Sequence, residues 1–381
     1  MLNSLEIKNF RLLESFQVKK LGRVNLIVGK NNSGKSTVLE AIRIYAGNAN
    51  RFLLNTIATE HNEKYQIDEE NPFNGILPFE DLFTGRQFPN DDKSIKIGEI
   101  GAAAKNLSIK HAYLTEKEEV KDSGTSEEKT SRFTKIVITV SEFSALDYEA
   151  KIEHILLVEK NEQQFTHELE KPFYSLTRAY METRSIVPCN VIPTQFVSME
   201  QLAKEWDSIV LTDGEKIVKQ ALRIVLPEFE NLTFIEGPKS DGSSQRLAKV
   251  KIANLSRPVS LNSLGDGMVR ILQLVLKVFS AKDGFLLIDE FENGLHYSVQ
   301  EKVWALLFQL SKDLNIQIFA TTHSWDCIES FSKVAVANQD VEGVLFRVGK
   351  SIKKSEKDRV IATVFDEEQL YNITQSDVEV R

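Results

Sequence analysis

Short apolar runs and segments of helical periodicity alternate near both ends of the chain, and these patterns predict its first elements. Leu5–Phe10 is a mixed strand candidate, and Val24–Val28 is the nearly continuous apolar run that a strand buried on both faces shows. Apolar residues then recur at helical spacing between Val38 and Tyr45, and Gly47 stands where a C-cap glycine belongs. The first 50 residues therefore predict strand, glycine loop and helix.

The middle of the chain is less periodic and more polar. Residues 116–131 form a charged run rich in Ser, Gly and Thr, which predicts an exposed loop or arm tip because it can bury little. Residues 134–140 alternate as a half-buried strand does. We therefore expect a β-rich insertion between residues 50 and 170.

Regular alternation of helical and strand patterns returns beyond residue 210. Thr212 and Glu215 form a capping-box signal before an amphipathic helix that ends by Pro227. Beyond residue 260 the pattern predicts helices over residues 268–279 and 299–310, and strands over residues 285–288, 316–320, 334–337 and 344–348. Strands that alternate with helices predict an α/β fold with a covered, largely parallel sheet, whose first strand comes from the N-terminal segment.

Charge and composition limit the kinds of molecule that the protein is expected to bind. Forty-seven Lys and Arg oppose 55 Asp and Glu, a net charge of −8, so global attraction to nucleic acid is excluded and such a contact needs a local patch. No aromatic residues interleave with the basic positions, so a solvated face is favoured over a nucleic-acid groove. These basic positions are Lys19, Lys20, Arg23, Arg347, Lys350, Lys353, Lys354, Lys357 and Arg359.

The cysteines and the start of the chain favour a reducing cytoplasm. Cys189 and Cys327 are too few for a disulfide framework and lack the clustering that structural zinc needs. No apolar run approaches the ~18 to 20 residues of a membrane helix, and the opening residues lack a basic and then apolar signal pattern. We expect a cytoplasmic protein without a membrane partner.

One motif lies between the buried strand and the first helix. Residues 29–36 read GKNNSGKS and fit G-x-x-x-x-G-K-[ST], the phosphate loop or Walker A motif. Its glycines let backbone N–H groups and the helix N-terminus face the phosphates of ATP, Lys35 adds a catalytic point charge, and Ser36 offers a hydroxyl to Mg²⁺. The predicted nucleotide contacts here are Gly29, Asn31, Asn32, Ser33, Gly34, Lys35, Ser36 and Thr37.

Two further segments bring acids and a histidine to strand ends. Phe285–Ile288 is followed by Asp289 and Glu290, the arrangement of a Walker B motif, in which Asp289 holds Mg²⁺ and Glu290 orients or deprotonates the attacking water. The Thr-Thr-His-Ser sequence after residue 320 places His323 at the end of the next strand, within reach of a γ-phosphate. A single histidine is more often structural, so this prediction depends on the two preceding motifs.

In this order the motifs resemble the ATPase heads of the ABC type, and among them the SMC, RecF and OLD (overcoming lysogenization defect) nuclease group. The resemblance covers residues 1–50 and 260–348. Residues 5–11 are similar to the group's first strand, which implies phosphate-side contacts for Asn9 and Arg11. Residues 289–296, DEFENGLH, are similar to the D-E-P-E-x-x-L-H form of OLD-like ATPases, with Phe291 replacing proline and residues 293–296 as the D-loop.

The signature segment departs from the L-S-G-G-Q pattern of that group. Residues 264–268 read LGDGM and stand immediately before a helix, where the signature would meet the γ-phosphate of the opposite subunit. The resemblance implies contacts from Gly265, Asp266 and Gly267, with Ser263 as the alternative source of the hydroxyl that Gly265 lacks. The glutamine of the Q-loop has two candidates by spacing, Gln66 and Gln87.

The predicted fold is thus a P-loop NTPase with an ABC-type head, in which a mostly parallel sheet is joined by an N-terminal antiparallel β part and interrupted by a large mixed insertion. Residues 1–50 form the N-terminal ATPase lobe, residues 51–259 the β-rich and helical insertion, and residues 260–381 the C-terminal lobe. The expected cofactors are ATP and Mg²⁺.

The resemblance implies a homodimer or higher oligomer that closes around ATP. It leaves three classes of ATPase as possible functions. The first is an OLD-like defence ATPase of prokaryotes that controls a nuclease or toxin; the segment after Val348 is too short for a Toprim nuclease, so the nuclease is expected in trans. The second is a RecF- or SMC-like DNA-repair head, although residues 37–262 show no long coiled-coil pattern. A transporter ATPase is the least favoured. A nucleotide-switched scaffold with slow turnover is the remaining alternative, and Glu290 argues against it. Nucleic acid stays open as a partner.

Overall fold

The computed structural model describes residues 1–63, 78–121, 130–143, 152–169, 186–238, 244–351, 353, 358–366, 369–370 and 372, with side chains described except at residues 117–121 and 130–133. Two compact units divide the chain. The phosphate-loop unit comprises Met1–Asn3, Val18–Leu39 and Val187–Arg381, and the insertion unit comprises Ser4–Gln17 and Glu40–Ile186.

The strands are β1 Leu5–Phe10, β2 Leu13–Val18, β3 Val24–Val28, β4 Ile95–Gly98, β5 Leu107–Lys121, β6 Thr130–Ile138, β7 Ile152–Lys160, β8 Gln163–Glu168, β9 Cys189–Ile192, β10 Phe229–Pro238, β11 Ser244–Ile252, β12 Val259–Ser260, β13 Phe285–Ile288, β14 Gln317–Thr322, β15 Gly343–Lys350 and β16 Val360–Phe365. The α-helices are α1 Lys35–Ala46, α2 Arg51–Glu60, α3 Val140–Phe143, α4 Met199–Asp207, α5 Asp213–Val225, α6 Asp266–Ser280, α7 Tyr297–Asp313 and α8 Trp325–Ala337. Short 3-10 turns include Phe79–Leu82, Ala103–Lys105 and Leu261–Leu264.

A six-stranded sheet forms the centre of the phosphate-loop unit, in the order β16-β15-β3-β14-β13-β9. The β15-β3, β3-β14, β14-β13 and β13-β9 pairs are parallel, and β16 is antiparallel to β15. Every residue of β3, β13 and β14 is buried, as expected for strands covered on both faces. Because these strands are parallel, their carboxyl ends and the polar residues that follow meet at one edge of the sheet.

Helices with one apolar face cover this sheet. The interior side of α6 is buried along nearly its whole length, which explains why the apolar run after residue 267 forms a helix rather than a strand. Phe291, which stands where the similar sequences have proline, is fully buried and stacks on Trp304 of α7 with ring centroids 3.8 Å apart. Burial of the Phe291 ring contributes roughly 1.5–3 kcal/mol and fixes the segment that follows β13.

The insertion unit contains a seven-stranded sheet in the order β2-β1-β4-β5-β7-β8, with β6 also paired to β5. The pairings of β4 with β1, and of β5 with β4, β6 and β7, are antiparallel. The β-rich character expected for this part of the chain is therefore present. Of the residues expected to form a loop, 116–121 belong to β5 and 130–131 to β6, whereas residues 122–129 lie outside the described residues.

One predicted strand is wrong. Residues 334–337 belong to α8 and not to a strand. The buried side chains of this helix include Cys327, Ile328, Phe331 and Val334, which recur at helical spacing, whereas Val336 is exposed. A short run of Val and Ala fits either structure when it is taken alone, and the helical period of the preceding ten residues decides it.

The units also divide the chain at different residues from the predicted lobes. Residues 187–259 had been assigned to the insertion, but they cluster with the phosphate-loop unit. Strand β9 begins this segment and pairs with β13 along its whole length, so it extends the sheet beyond the strand that carries Asp289. Among the residues that the structure describes, no helix combines the length and apolar character that a membrane crossing requires.

Candidate functional site

The glycine loop after β3 curls tightly into α1. Gly29 has φ +151°, and a Cβ there would lie 2.3 Å from the carbonyl oxygen of Val348, so the neighbouring strand leaves room for glycine alone. Gly34 has φ +105° and Asn32 has φ +60°, both in the region that favours glycine or asparagine. The loop therefore has the backbone reversals that bring successive N–H groups to one side before the helix begins at Lys35.

Carbonyl oxygens of the loop hold the side chain of Lys35. Its Nζ donates to the carbonyl oxygens of Gly29 at 2.8 Å and Lys30 at 3.1 Å. Burial lowers the pKa of Lys35, while the carboxylates of Asp289, Glu290 and Glu292 oppose that shift. The three carboxylates keep the half-buried ammonium charged, and among the described residues its hydrogen-bond partners are carbonyl oxygens, so its positive charge is available to an anionic ligand such as a phosphate.

The remaining loop residues differ in accessibility. Asn31, Asn32 and Ser36 are exposed, and Thr37 is half-buried. The Ser33 hydroxyl oxygen is buried and has no hydrogen-bond partner among the described residues. A buried unpaired hydroxyl in a glycine loop is a further group that a phosphate oxygen would satisfy.

Asp289, at the carboxyl end of β13, gathers hydroxyl groups from three other parts of the chain. Its Oδ1 accepts from Thr321 Oγ at 2.6 Å and from Ser36 Oγ at 3.4 Å, and its Oδ2 accepts from Thr194 Oγ at 3.4 Å. A carboxylate with serine and threonine hydroxyls around it is an oxygen donor set of the kind that Mg²⁺ prefers. The predicted metal ligands Ser36 and Asp289 are thus adjacent in the structure.

Glu290 has an uncommon backbone conformation. Its φ is +48°, in the left-handed region that a non-glycine residue rarely adopts, and its N–H donates to Thr321 Oγ at 2.9 Å. The side chain is 39% exposed, which leaves the carboxylate accessible to water. Backbone strain at a residue with this exposure is frequent in active sites, where the surrounding structure stabilises it.

His323 lies beside two carboxylates at the end of β14. Its Nδ1 is 3.0 Å from Glu292 Oε1 and 3.8 Å from Glu290 Oε1, and its backbone N–H donates to the same Glu292 oxygen at 3.0 Å. Glu292 is largely buried, and its Oε2 has no hydrogen-bond partner among the described residues. Glu292 therefore fixes both the backbone and the imidazole ring of His323.

The residues predicted to form the signature lie at the start of α6. Gly265, with φ +90°, is the N-cap residue, and nothing lies within 4 Å of a Cβ placed on it. The hydroxyl of Ser263 donates to the carbonyl oxygen of Ser260 at 2.6 Å, and Asp266 is exposed. A Cβ on Gly267 would come within 3.3 Å of the carbonyl oxygen of Gly294, so this glycine allows α6 to approach the D-loop of its own chain.

The two predicted contacts from the N-terminal strand belong to the insertion unit and have protein partners there. The Asn9 amide donates to the carbonyl oxygen of Ser94 at 2.9 Å. Arg11 makes a bidentate pair with Glu63, both bonds 2.9 Å long, and its Nε lies 3.1 Å from Glu40 Oε2. A nucleotide contact for either residue stays a prediction. Of the two Q-loop candidates, Gln87 is exposed and Gln66 lies outside the described residues.

Three of the described basic positions have partners within the protein, which is consistent with the interpretation of a solvated face. Lys354 and Lys357 lie outside the described residues. The described pairs are Lys20 with Glu342, Lys350 with Asp358, and Arg23 with the carbonyl oxygen of Ser311.

Sequence reasoning missed four residues of the site: Thr194, Arg270, Glu292 and Thr321. Thr321 was part of the Thr-Thr-His-Ser sequence, and its place at a strand end was the available signal. Thr194 follows β9, a strand too short to be predicted from four residues. Glu292 was read only as part of a motif, and Arg270 was indistinguishable from any basic residue in an amphipathic helix.

A glycine loop between a buried parallel strand and a helix, together with an acid pair at the end of a strand two places along the sheet, defines a P-loop nucleoside triphosphatase. The family model of the AAA ATPase domain matches residues 1–231 and 198–328. The chain belongs to this family and is an ATPase, as the phosphate loop predicted.

Two known proteins are similar to the chain, one in sequence and one in structure. A protein of Helicobacter pylori named ATP/GTP phosphatase is 24% identical over 358 residues, which cover 88% of each chain. Among solved structures, an Smc head bound to the C-terminal winged-helix domain of ScpA aligns with a TM-score of 0.50 at 12% identity, over 97% of this chain and 99% of that one. The chain thus has an α/β fold like that of an SMC head, consistent with the predicted fold class at this level.

Proposed function

We propose that the chain hydrolyses ATP in a Mg²⁺-dependent reaction at the edge of the six-stranded sheet. The observation that carries the proposal is the contact of Asp289 with Ser36 of the phosphate loop, which brings the two motifs to one place. Ser36 and Asp289 are the residues that would hold Mg²⁺, with Thr194 and Thr321 orienting the carboxylate. The ion, when bound, neutralises charge that develops on the phosphate oxygens. The name of the similar Helicobacter protein supports hydrolysis and adds GTP as a second substrate to be tested.

Three side chains carry out the remaining steps of the proposed reaction. Glu290 is accessible to water, and its backbone is fixed by Thr321, so we assign its carboxylate as the general base that accepts a proton from the attacking water. Lys35 binds the phosphate oxygens and stabilises their charge. His323, oriented by Glu292, donates toward the γ-phosphate as the bond to the leaving group breaks.

Replacement of His323 by alanine is expected to lower kcat by about 10-fold or more and to change KM by less than about 3-fold. The reason is that a group acting mainly in the transition state can be removed without weakening the binding of ATP in the ground state. Steady-state phosphate release over a range of ATP concentrations measures both constants. Ser324→Ala is the matched control, since Ser324 is the adjacent residue and makes no side-chain capping bond to α8. A loss confined to KM would make His323 a ground-state contact instead.

We also propose that two subunits close around ATP, with the signature segment of one facing the γ-phosphate bound by the other. The exposed segment of Ser263, Gly265 and Asp266 at the start of a 15-residue helix supports this, because helix N-termini bind anions. The open space around Gly265 leaves its backbone accessible to a ligand from outside the subunit.

The dimer has a direct test in Glu290→Gln, which should keep ATP bound. We expect its molar mass by light scattering to double on addition of Mg-ATP. Ser263→Glu in the same background should prevent the change, because it replaces the hydroxyl with a larger side chain and adds a second negative charge beside that of Asp266. Ser208→Glu is the matched control: Ser208 is also exposed, and its hydroxyl also donates to a carbonyl three residues earlier at 2.6 Å. Equal masses in every sample would contradict the closed dimer.

For the biological role, we propose that the ATPase cycle regulates a nuclease or toxin partner in prokaryotic anti-phage defence. The support is the similarity of residues 289–296 to the OLD-like form of this motif. A RecF- or SMC-like repair ATPase and a nucleotide-switched scaffold remain the alternatives, and the fold alone favours neither. ScpA is the partner of the Smc head whose structure aligns here, and we do not propose it for this chain.

Phage challenge tests this role. Cells that carry the gene together with its neighbours are infected, and their survival is compared with that of cells in which this gene alone is interrupted. Higher survival with the intact gene is expected for a defence ATPase. Equal survival across a broad phage panel, together with sensitivity of the interrupted strain to DNA damage, would favour the repair ATPase.

A further inference from the structure

Arg270 is a fully buried arginine in the phosphate-loop unit, and the hydrolysis mechanism given above assigns it no role. It lies in the second turn of α6, three residues beyond Gly267 of the signature. Its Nη1 donates to the carbonyl oxygen of Pro193 at 2.8 Å, and its Nη2 donates to the carbonyl oxygens of Asp289 and Glu290, each at 3.0 Å. One guanidinium thus joins the ends of β9 and β13 to α6.

Such a residue is costly to bury. A buried charge destabilises the folded state unless hydrogen bonds and opposite charges compensate it, and here the Nε has no partner among the described residues. Burial lowers the pKa of Arg270 to about 10, against the opposing effect of Glu292, Asp289 and Glu290. The three hydrogen bonds to carbonyl oxygens offset part of this cost, and they hold the arginine to the backbone at the ends of β9 and β13 rather than to another side chain.

The backbone that Arg270 holds is the strained one. Glu290 has φ +48°, and this conformation places its N–H on Thr321 Oγ while its carbonyl oxygen accepts from Arg270. A left-handed glutamate persists only if its surroundings fix the peptide units on both sides of it. Thr321 of β14 holds the N–H of Glu290, and the carbonyl oxygen of Glu290 accepts from Arg270 of α6 and also from the backbone N–H of Asn293 at 3.0 Å. Arg270 is the side chain that ties this carbonyl oxygen to α6.

We infer that Arg270 is a positioning residue for ATP hydrolysis: it fixes the backbone of Glu290 so that the carboxylate stands where it accepts a proton from water. The inference rests on the proposed role of Glu290 as the base. It also gives α6 a direct connection to that base, because the helix that begins at the signature carries the guanidinium. Arg270 itself touches neither the phosphate nor the water in this assignment.

Two substitutions test the inference, Arg270→Lys and Arg270→Met. The lysine keeps the charge but cannot hold three carbonyl oxygens in the fork geometry of a guanidinium, and the methionine removes the charge at similar volume. We expect both to lower kcat by about 10²-fold, the cost of a misplaced catalytic group, with the Kd for ATP changed by less than about 3-fold.

A double-mutant cycle with Glu290→Gln separates positioning from general damage. Without a base there is nothing to position, so Arg270→Lys should change the residual rate of Glu290→Gln by less than about 3-fold. The same fold-loss in both backgrounds, or an unchanged kcat in folded Arg270→Lys, would overturn the inference. Wild-type hydrolysis by Glu290→Gln alone would instead refute the proposed base.

Lys277→Met is the control for a general loss of stability in α6. Lys277 is another buried cation on this helix, and its partner is Glu205 of α4, with 2.5 Å between Nζ and Oε1. We expect an Arg270 variant and Lys277→Met to lose similar thermal stability, but only the Arg270 variant to have a lower kcat. That result would show that the loss of kcat comes from the contact with Glu290 and not from general damage to α6. Equal loss of kcat in both would assign Arg270 a structural role.

Discussion

Glu290→Gln should bind ATP and fail to hydrolyse it, with kcat lowered by about 10²- to 10⁴-fold, the usual contribution of a general base. Glutamine keeps the size of the side chain and the strained backbone at φ +48°, and the N–H of residue 290 still donates to Thr321 Oγ. Only the basicity is removed. Phosphate release under multiple turnover, together with analysis of the nucleotide retained after gel filtration, measures both parts of the prediction.

Glu292→Gln is the matched control for this substitution. Glu292 is the next acid along the same loop and accepts from the backbone N–H of His323, a bond that the amide oxygen of glutamine preserves. We expect its effect on kcat to be at least about 10-fold smaller, because no proton transfer depends on it. If Glu292→Gln removed more activity than Glu290→Gln, the base would be Glu292.

Lys35→Ala should weaken ATP binding by about 10²-fold or more, because hydrogen bonds from a charged donor contribute about 1.5–3 kcal/mol each and the ammonium serves more than one oxygen. The side chain is half-buried and its loop partners are carbonyl oxygens, so alanine leaves the core unchanged. Isothermal calorimetry gives the affinity, and thermal denaturation shows whether the protein is folded.

The neighbouring lysine provides the control. Lys30 lies in the same loop and is exposed, and its carbonyl oxygen accepts from Lys35, so Lys30→Ala removes an equal charge without removing the fixed cation. We expect its affinity to stay within about 3-fold of wild type, since an exposed charge is screened by solvent. Unchanged affinity in folded Lys35→Ala would contradict the phosphate-loop assignment.

Tertiary context explains where the sequence patterns failed. The strand predicted over residues 334–337 is the last turn of α8, because Phe331 and Val334 share a buried face of that helix. A four-residue window holds too little periodicity to distinguish the two structures. Strand β9 was missed for the same reason, since four residues that are mostly half-buried carry neither a continuous apolar run nor a clear alternation.

Four local features of the site could be predicted from the sequence: the glycine loop, the strand that enters it, the acid pair after β13 and the helix that begins near residue 266. Each of these depends on neighbours within a few residues, where backbone freedom and hydrophobic period operate directly. Which groups meet in space depends on the packing of distant parts of the chain. The three hydroxyl groups that bind Asp289 belong to Ser36, Thr194 and Thr321, which are separated from it in the sequence by 253, 95 and 32 positions. The guanidinium that binds the Glu290 carbonyl oxygen belongs to Arg270, 20 positions earlier and on another element. Such contacts are fixed by the pairing of β9, β13 and β14 and by the packing of α6, and no local pattern encodes them.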